Sequence, residues 1–312
     1  METETSKSSP NLPESIRERL GHDWSCTENK ADSAILSKEM KQLKNHRKSA
    51  YLSASRSNPK IVAAESGATK FLLSQKGNAS LAAEALARYW ETRKQLFGEE
   101  RFCLPMVATG RSAMNPRDIE LLNSGFFVLL PSDAKGRPVV CYDRSRMEMD
   151  FSQDVLEQLI DRATKCVFYV LSVAAEHPVA QNDGIRILMG YSSSFKSLPF
   201  DEKFGRKFRQ CIEACPFGTA DTTVAVRLPR RGETEYINSI LPRIIAYAKS
   251  QNKNCTVISH SSPENLATSL EARGFRRNGL PRSLGGTYQA SHLQSRSQAY
   301  VLSHIVCLQV LG

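Results

Sequence analysis

Two strand-like apolar runs, 126–130 and 139–142, are separated by Asp133-Ala134-Lys135-Gly136-Arg137-Pro138, and this turn limits the fold more than any other stretch. Asp favours turn starts, Gly136 tolerates φ > 0, and Pro138 is acceptable at the first residue of a strand. The spacing therefore predicts a hairpin. Beyond it, strand signals at 184–191, 222–228 and 254–259 are separated by helix signals. The helices are expected over 152–177 (Ser152 as N-cap, Pro178 as stop), 201–214, 235–250 and 263–273, the last closed by Gly274. Such alternation predicts an α/β domain built on a mixed sheet of about five strands. A second turn signal, Leu280-Pro281-Arg282-Ser283-Leu284-Gly285-Gly286, ends it, and the two signals enclose about 150 residues, an ordinary domain.

The remainder divides by composition. Residues 1–33 are polar, rich in Ser, Glu and Lys, and are expected to be disordered. A small helical domain with its linker is expected over 34–115, the α/β domain over 116–290 and a tail over 291–312. In the helical part, Ile35, Leu36, Met40 and Leu43 recur at helical spacing up to about Tyr51, with Lys38, Lys41, Lys44, Arg47 and Lys48 on the other face. Two short helices follow over 61–97 around a turn at Lys76-Gly77-Asn78, with Asn78 or Ser80 as the second cap.

With 41% hydrophobic residues the chain can bury a substantial core. A net charge of +10 implies attraction to acidic partners. The eight Cys are scattered, and with no secretory signal they read as reduced thiols in a cytoplasmic protein. No apolar run is long enough to span a bilayer. The apolar stretch 299–311 is too short and is expected to dock on the domain.

Catalytic signals are weak. Gly190-Tyr191-Ser192 lacks the second glycine of a nucleophile elbow. Cys211 and Cys215 have no His pair at ligand spacing, so no metal site is expected. No glycine-rich phosphate loop is present and no nucleophile–base set is visible, so a non-enzymatic protein without a cofactor is expected. Arg227, Arg230 and Arg231, and Arg273, Arg276, Arg277 and Arg282, form basic clusters. They lack interleaved aromatics apart from Phe275, so nucleic acid is not the favoured partner. Ile237, Ile240, Leu241, Ile244, Ile245 and Ala248 mark one apolar helix face interrupted by Pro242, where the helix should kink or restart.

The order of these parts resembles the CRAL-TRIO lipid-binding family of the yeast phosphatidylinositol-transfer type, over roughly residues 60–290. The resemblance rests on Phe71-Leu72-Leu73 through Arg88-Tyr89-Trp90 to Arg93, on Asp133-x-x-Gly136-Arg137-Pro138-Val139, and on 222–228 followed by Pro229. Ile240-Leu241-Pro242 and Leu280-Pro281-x-x-Leu284-Gly285-Gly286-Thr287 complete it. It implies a sheet floor and a gate helix enclosing a pocket for one hydrophobic ligand, a phospholipid or other lipid. The pocket is then expected from Val128, Val140, Ile187, Val224 and Val226, and the gate from Ile237, Ile240, Leu241, Pro242, Ile244 and Ile245. Transient docking of a monomer on anionic membranes would fall to Lys41, Lys44, Lys48, Arg230, Arg231, Arg276 and Arg277. The family's phosphoinositide-specifying acid and lysine are not matched: Cys215-Pro216-Phe217-Gly218 stands at the first, and Cys255, beside Lys253, near the second. The implied function is lipid binding and transfer or presentation between membranes. The alternative is a protein-interaction or membrane-recruitment module whose pocket has degenerated.

Overall fold

The computed structural model describes residues 30–107, 112–146, 153–191, 198–229, 234, 238–239, 241–251 and 254–288. Of the segment 1–33 expected to be disordered, residues 30–33 instead form the start of a helix, while 1–29, the Ser152 cap and the tail 291–312 lie outside the described residues.

Five strands form one mixed sheet in chain order: β1 (Phe127–Leu130), β2 (Val139–Asp143), β3 (Ile185–Tyr191), β4 (Thr219–Arg227) and β5 (Cys255–His260). The Asp133–Gly136 turn makes β1 antiparallel to β2, with Val128 opposite Cys141. Every later pair is parallel, with Val140 beside Ile187, Met189 beside Val224, and Val224 beside Val257. The turn is held by the Asp133 carboxylate, which accepts from the backbone N–H of Lys135 and Arg137 (both 2.9 Å) and from Arg137 Nε (2.9 Å).

Helices run in chain order: α1 (Lys30–Gln42), α2 (Ser49–Ser57), α3 (Pro59–Glu65), α4 (Ala68–Ser74), α5 (Ala79–Phe97), α6 (Pro116–Asn123) and α7 (Gln153–Ala175). They continue as α8 (Pro178–Asp183), α9 (Leu198–Ala214), α10 (Leu241–Gln251) and α11 (Pro263–Glu271). The helix expected up to Tyr51 is in fact two helices joined by a 3-10 turn, Asn45–Lys48. Asn78 caps α5, its side chain accepting from Leu81 N. Helix α6 was not foreseen, although Asn115 and Asp118 make a capping box around Pro116. Pro178 opens α8 as well as ending α7, because a proline at N1 loses no intrahelical bond.

Strand alternation gives the sheet two apolar faces. One carries Phe127, Val140, Tyr142, Ile187, Met189, Tyr191, Val224 and Val226 and packs on α7, α9 and α10. The other carries Val128, Leu130, Val139, Cys141, Leu188 and Ala225 and packs on α11 and the segment through Leu280, Leu284 and Tyr288. The N-terminal helices add an outer layer continuous with the first core, through Tyr89 against Phe168 (ring centroids 5.3 Å apart).

The terminal Leu-Pro-x-x-Leu-Gly-Gly segment has a steric explanation. Gly285 adopts φ 80°, and a Cβ there would lie 2.0 Å from the Pro263 carbonyl oxygen. A Cβ on Gly286 would lie 2.1 Å from the Leu280 oxygen. Both positions require glycine for the segment to close over α11.

Candidate functional site

The face shared with α7, α9 and α10 is where the expected pocket and gate meet. Val140, Ile187, Val224 and Val226 all point into it, together with Leu241 and Ile244 of α10. Val128 does not. It stands opposite Cys141 and packs with the α11 side, because alternate residues of a strand face opposite ways. Val128 therefore leaves the pocket set. Ile237 and Ile240 lie outside the described residues.

Pro242 is the second residue of α10, and a proline in the first turn of a helix removes no intrahelical bond. Leu241 and Ile244 are buried, Ile245 is half-buried and Pro242 is exposed. Helix α10 rests on α9 and β5. Its neighbours there are thinly covered, since every residue of β5, including Cys255 and Val257, is only half-buried. The opposite end of the same face is filled by rings. Tyr142 lies 6.1 Å from Tyr191 and 5.5 Å from Phe204, Phe204 stacks on Phe208 at 6.0 Å, and Phe208 meets Phe127 at 5.6 Å. Val140, Val224 and Val226 are 0% exposed, so their side chains touch packed protein throughout.

Burial also sets the chemistry of the cysteines. It pushes the thiols of Cys141, Cys166 and Cys211 well above their ordinary range. Burial likewise pushes Cys215 up to about 12, with a hydrogen bond from Ser172 acting the other way. Such thiols behave as small apolar groups, not nucleophiles. Among the described residues no cluster of His, Cys, Asp or Glu could hold a metal ion.

Buried cations have partners away from this face. Lys70 pairs with Glu176, tying α4 to the residue after α7. Arg93 pairs with Glu65, donates to the carbonyl oxygens of Phe102 (2.7 Å) and Leu104, and lies 4.8 Å from the Trp90 ring. The Trp-x-x-Arg spacing thus serves a clamp on the linker. Arg186 bridges Asp133 and Asp221 on the far face and sits 3.9 Å above the Phe275 ring. Asp143, at the end of β2 where α/β proteins commonly bind ligands, is fully engaged. It accepts from Ser145 N (3.1 Å), Ser145 Oγ (2.6 Å), Arg146 Nε (3.2 Å) and Ser283 Oγ (2.6 Å). That carboxylate fastens the Leu280–Gly286 segment.

The expected docking residues separate. Lys41, Lys44 and Arg276 are exposed, and Arg277 is half-exposed and paired with Glu271 at 3.2 Å. Lys48 is buried, its ammonium donating to the carbonyl oxygens of Met40 (2.6 Å) and Lys41 (3.2 Å). It ends α1 and is not available to a membrane. Arg230 and Arg231 lie outside the described residues. Among the described residues no helix is long and apolar enough to cross a membrane.

No protein-family model matches this chain, and no curated protein matches it.

Proposed function

We propose that this chain binds one hydrophobic ligand, a phospholipid or other lipid, between the sheet and α10, and carries or presents it between membranes. The observation that supports this reading is the meeting of Val140, Ile187, Val224 and Val226 with Leu241 and Ile244 under a short helix with a proline in its first turn. Among its described side chains α10 buries Leu241 and Ile244, whereas α7 buries a row from Ile160 through Leu171. Elements with few buried apolar contacts open at the lowest cost.

The magnitudes favour exchange of side chains for lipid. Withdrawing Leu241 and Ile244 costs about 1.5–3 kcal/mol each. Relative to water a lipid chain recovers about 0.8 kcal/mol per buried CH₂, so about eight methylenes cover the loss. Transfer then requires α10 to swing out at the membrane and back in solution.

A second reading is favoured by the complete burial of Val140, Val224 and Val226. On that reading the space is permanently filled, and the domain serves as an interaction or membrane-recruitment module. Transfer of labelled phospholipid between vesicles separates the two. Ile240→Asp with Ile244→Asp is expected to abolish transfer, and the half-buried Ile245→Asp alone to slow it while circular dichroism stays unchanged. Transfer at the original rate in both would remove α10 from the gate role, and no transfer by the unaltered chain would favour the module.

A further inference from the structure

We propose that the outer face of α1, with the adjoining start of α5, is the surface that seats this protein on an anionic bilayer. This rests on the reading of the chain as a lipid-handling protein and gives that reading its membrane-facing side. Among the described residues, the large apolar side chains left exposed are Ile35 (47%), Leu73 (36%) and Leu81 (48%). All three lie on α1, α4 and α5, which pack on one another. Helix α1 turns Leu36 and Met40 inward and presents Lys30, Ile35, Lys38 and Lys41 outward, with exposed Lys44 just beyond its end. Its two acids keep their charge but are half-buried where the lysines are exposed: Asp32 accepts from Thr69 Oγ1 (2.7 Å) and Glu39 from Gln42 Nε2 (3.4 Å).

Two contacts link the end of α1 to α5. Lys48 folds the 3-10 turn back on the end of α1 through Met40 and Lys41. That brings Arg47 to Glu84 (3.1 Å), one helical turn after Leu81 on α5. Aliphatic tips among lysines suit a headgroup layer, where the aliphatic groups enter the acyl boundary and the ammonium groups stay at the phosphates. A single-stranded nucleic acid would be met by exposed aromatic rings for stacking, and this face presents none among the described residues.

The test is flotation of the full chain with phosphatidylcholine vesicles, with and without phosphatidylserine. The unaltered chain is expected to float with the anionic vesicles and to release as salt rises. The triple change Lys38→Glu, Lys41→Glu and Lys44→Glu should weaken partitioning at least about a hundredfold. Ile35→Ser with Leu81→Ser should weaken it also, and in a manner salt does not reproduce. Equal charge reversal elsewhere, at exposed Arg117, Lys135 and Arg206, should leave partitioning within a few-fold. Equal loss in that control, unchanged flotation of the α1 variants, or tighter binding to single-stranded RNA than to vesicles would each overturn the proposal. Solvent extraction of the same variants keeps this outcome apart from the ligand reading: lost docking with lipid still bound leaves the pocket standing, whereas lipid-free protein that still docks leaves only the surface.

Discussion

Arg93 on α5 and Glu65 on α3 form an ion pair with side-chain exposures of 0% and 5%. The Glu65 carboxylate also accepts from Met106 N at 2.8 Å, so the pair closes the linker against the helices. Removing one member leaves the other charge buried without its counter-ion. Glu65→Ala is therefore expected to lower unfolding free energy by about 3–5 kcal/mol. Chemical denaturation checks it, and Glu65→Ala with Arg93→Leu should recover part of the loss.

Gly285 tests the explanation of the terminal motif. Alanine would meet the Pro263 oxygen and occupy left-handed backbone, so Gly285→Ala should destabilise by about 2–5 kcal/mol. Gly67, the N-cap of α4, around which an added Cβ meets nothing within 4 Å, is the contrasting site, and Gly67→Ala should cost no more than about 1 kcal/mol. Thermal melting of the two variants gives the comparison.

Asp133 supplies a pH signature. Burial alone would raise its pKa, but the N–H and guanidinium of Arg137 and the N–H of Lys135 outweigh burial and hold it below the usual carboxylate range. A carboxylate depressed in the folded state contributes stability above its unfolded pKa, about 3.9, and loses it as pH falls through the folded value. Asp133→Asn should therefore cost stability at neutral pH and flatten the acid limb of the urea midpoint plotted against pH. An acid limb unchanged by the substitution would contradict this role.

The architecture was legible because turn and helix signals punctuate the strands. Asp133 to Pro138 marked the antiparallel pair, and Pro263 with Gly274 bracketed α11. Which face each strand residue takes was not legible, because all five residues of β2 are buried and the sequence shows no polar alternation there. Val128 was grouped with Val140 for that reason, and only the pairing with Cys141 separates them. Lys48 misled differently: its helical spacing from Lys41 and Lys44 reads as one basic face, while a 3-10 turn folds its ammonium inward. The Asn115-Pro116-x-Asp118 capping box was present in the sequence and could have marked α6.

On the proposed function, the space between the sheet and α10 holds a lipid. The most direct measurement is organic-solvent extraction of the purified, folded protein followed by mass spectrometry of the extract. One lipid species or class is expected in near-equal molar amount to the protein, with its level falling in Ile240→Asp with Ile244→Asp. A lipid-free extract from protein that also takes up no lipid from vesicles would contradict it.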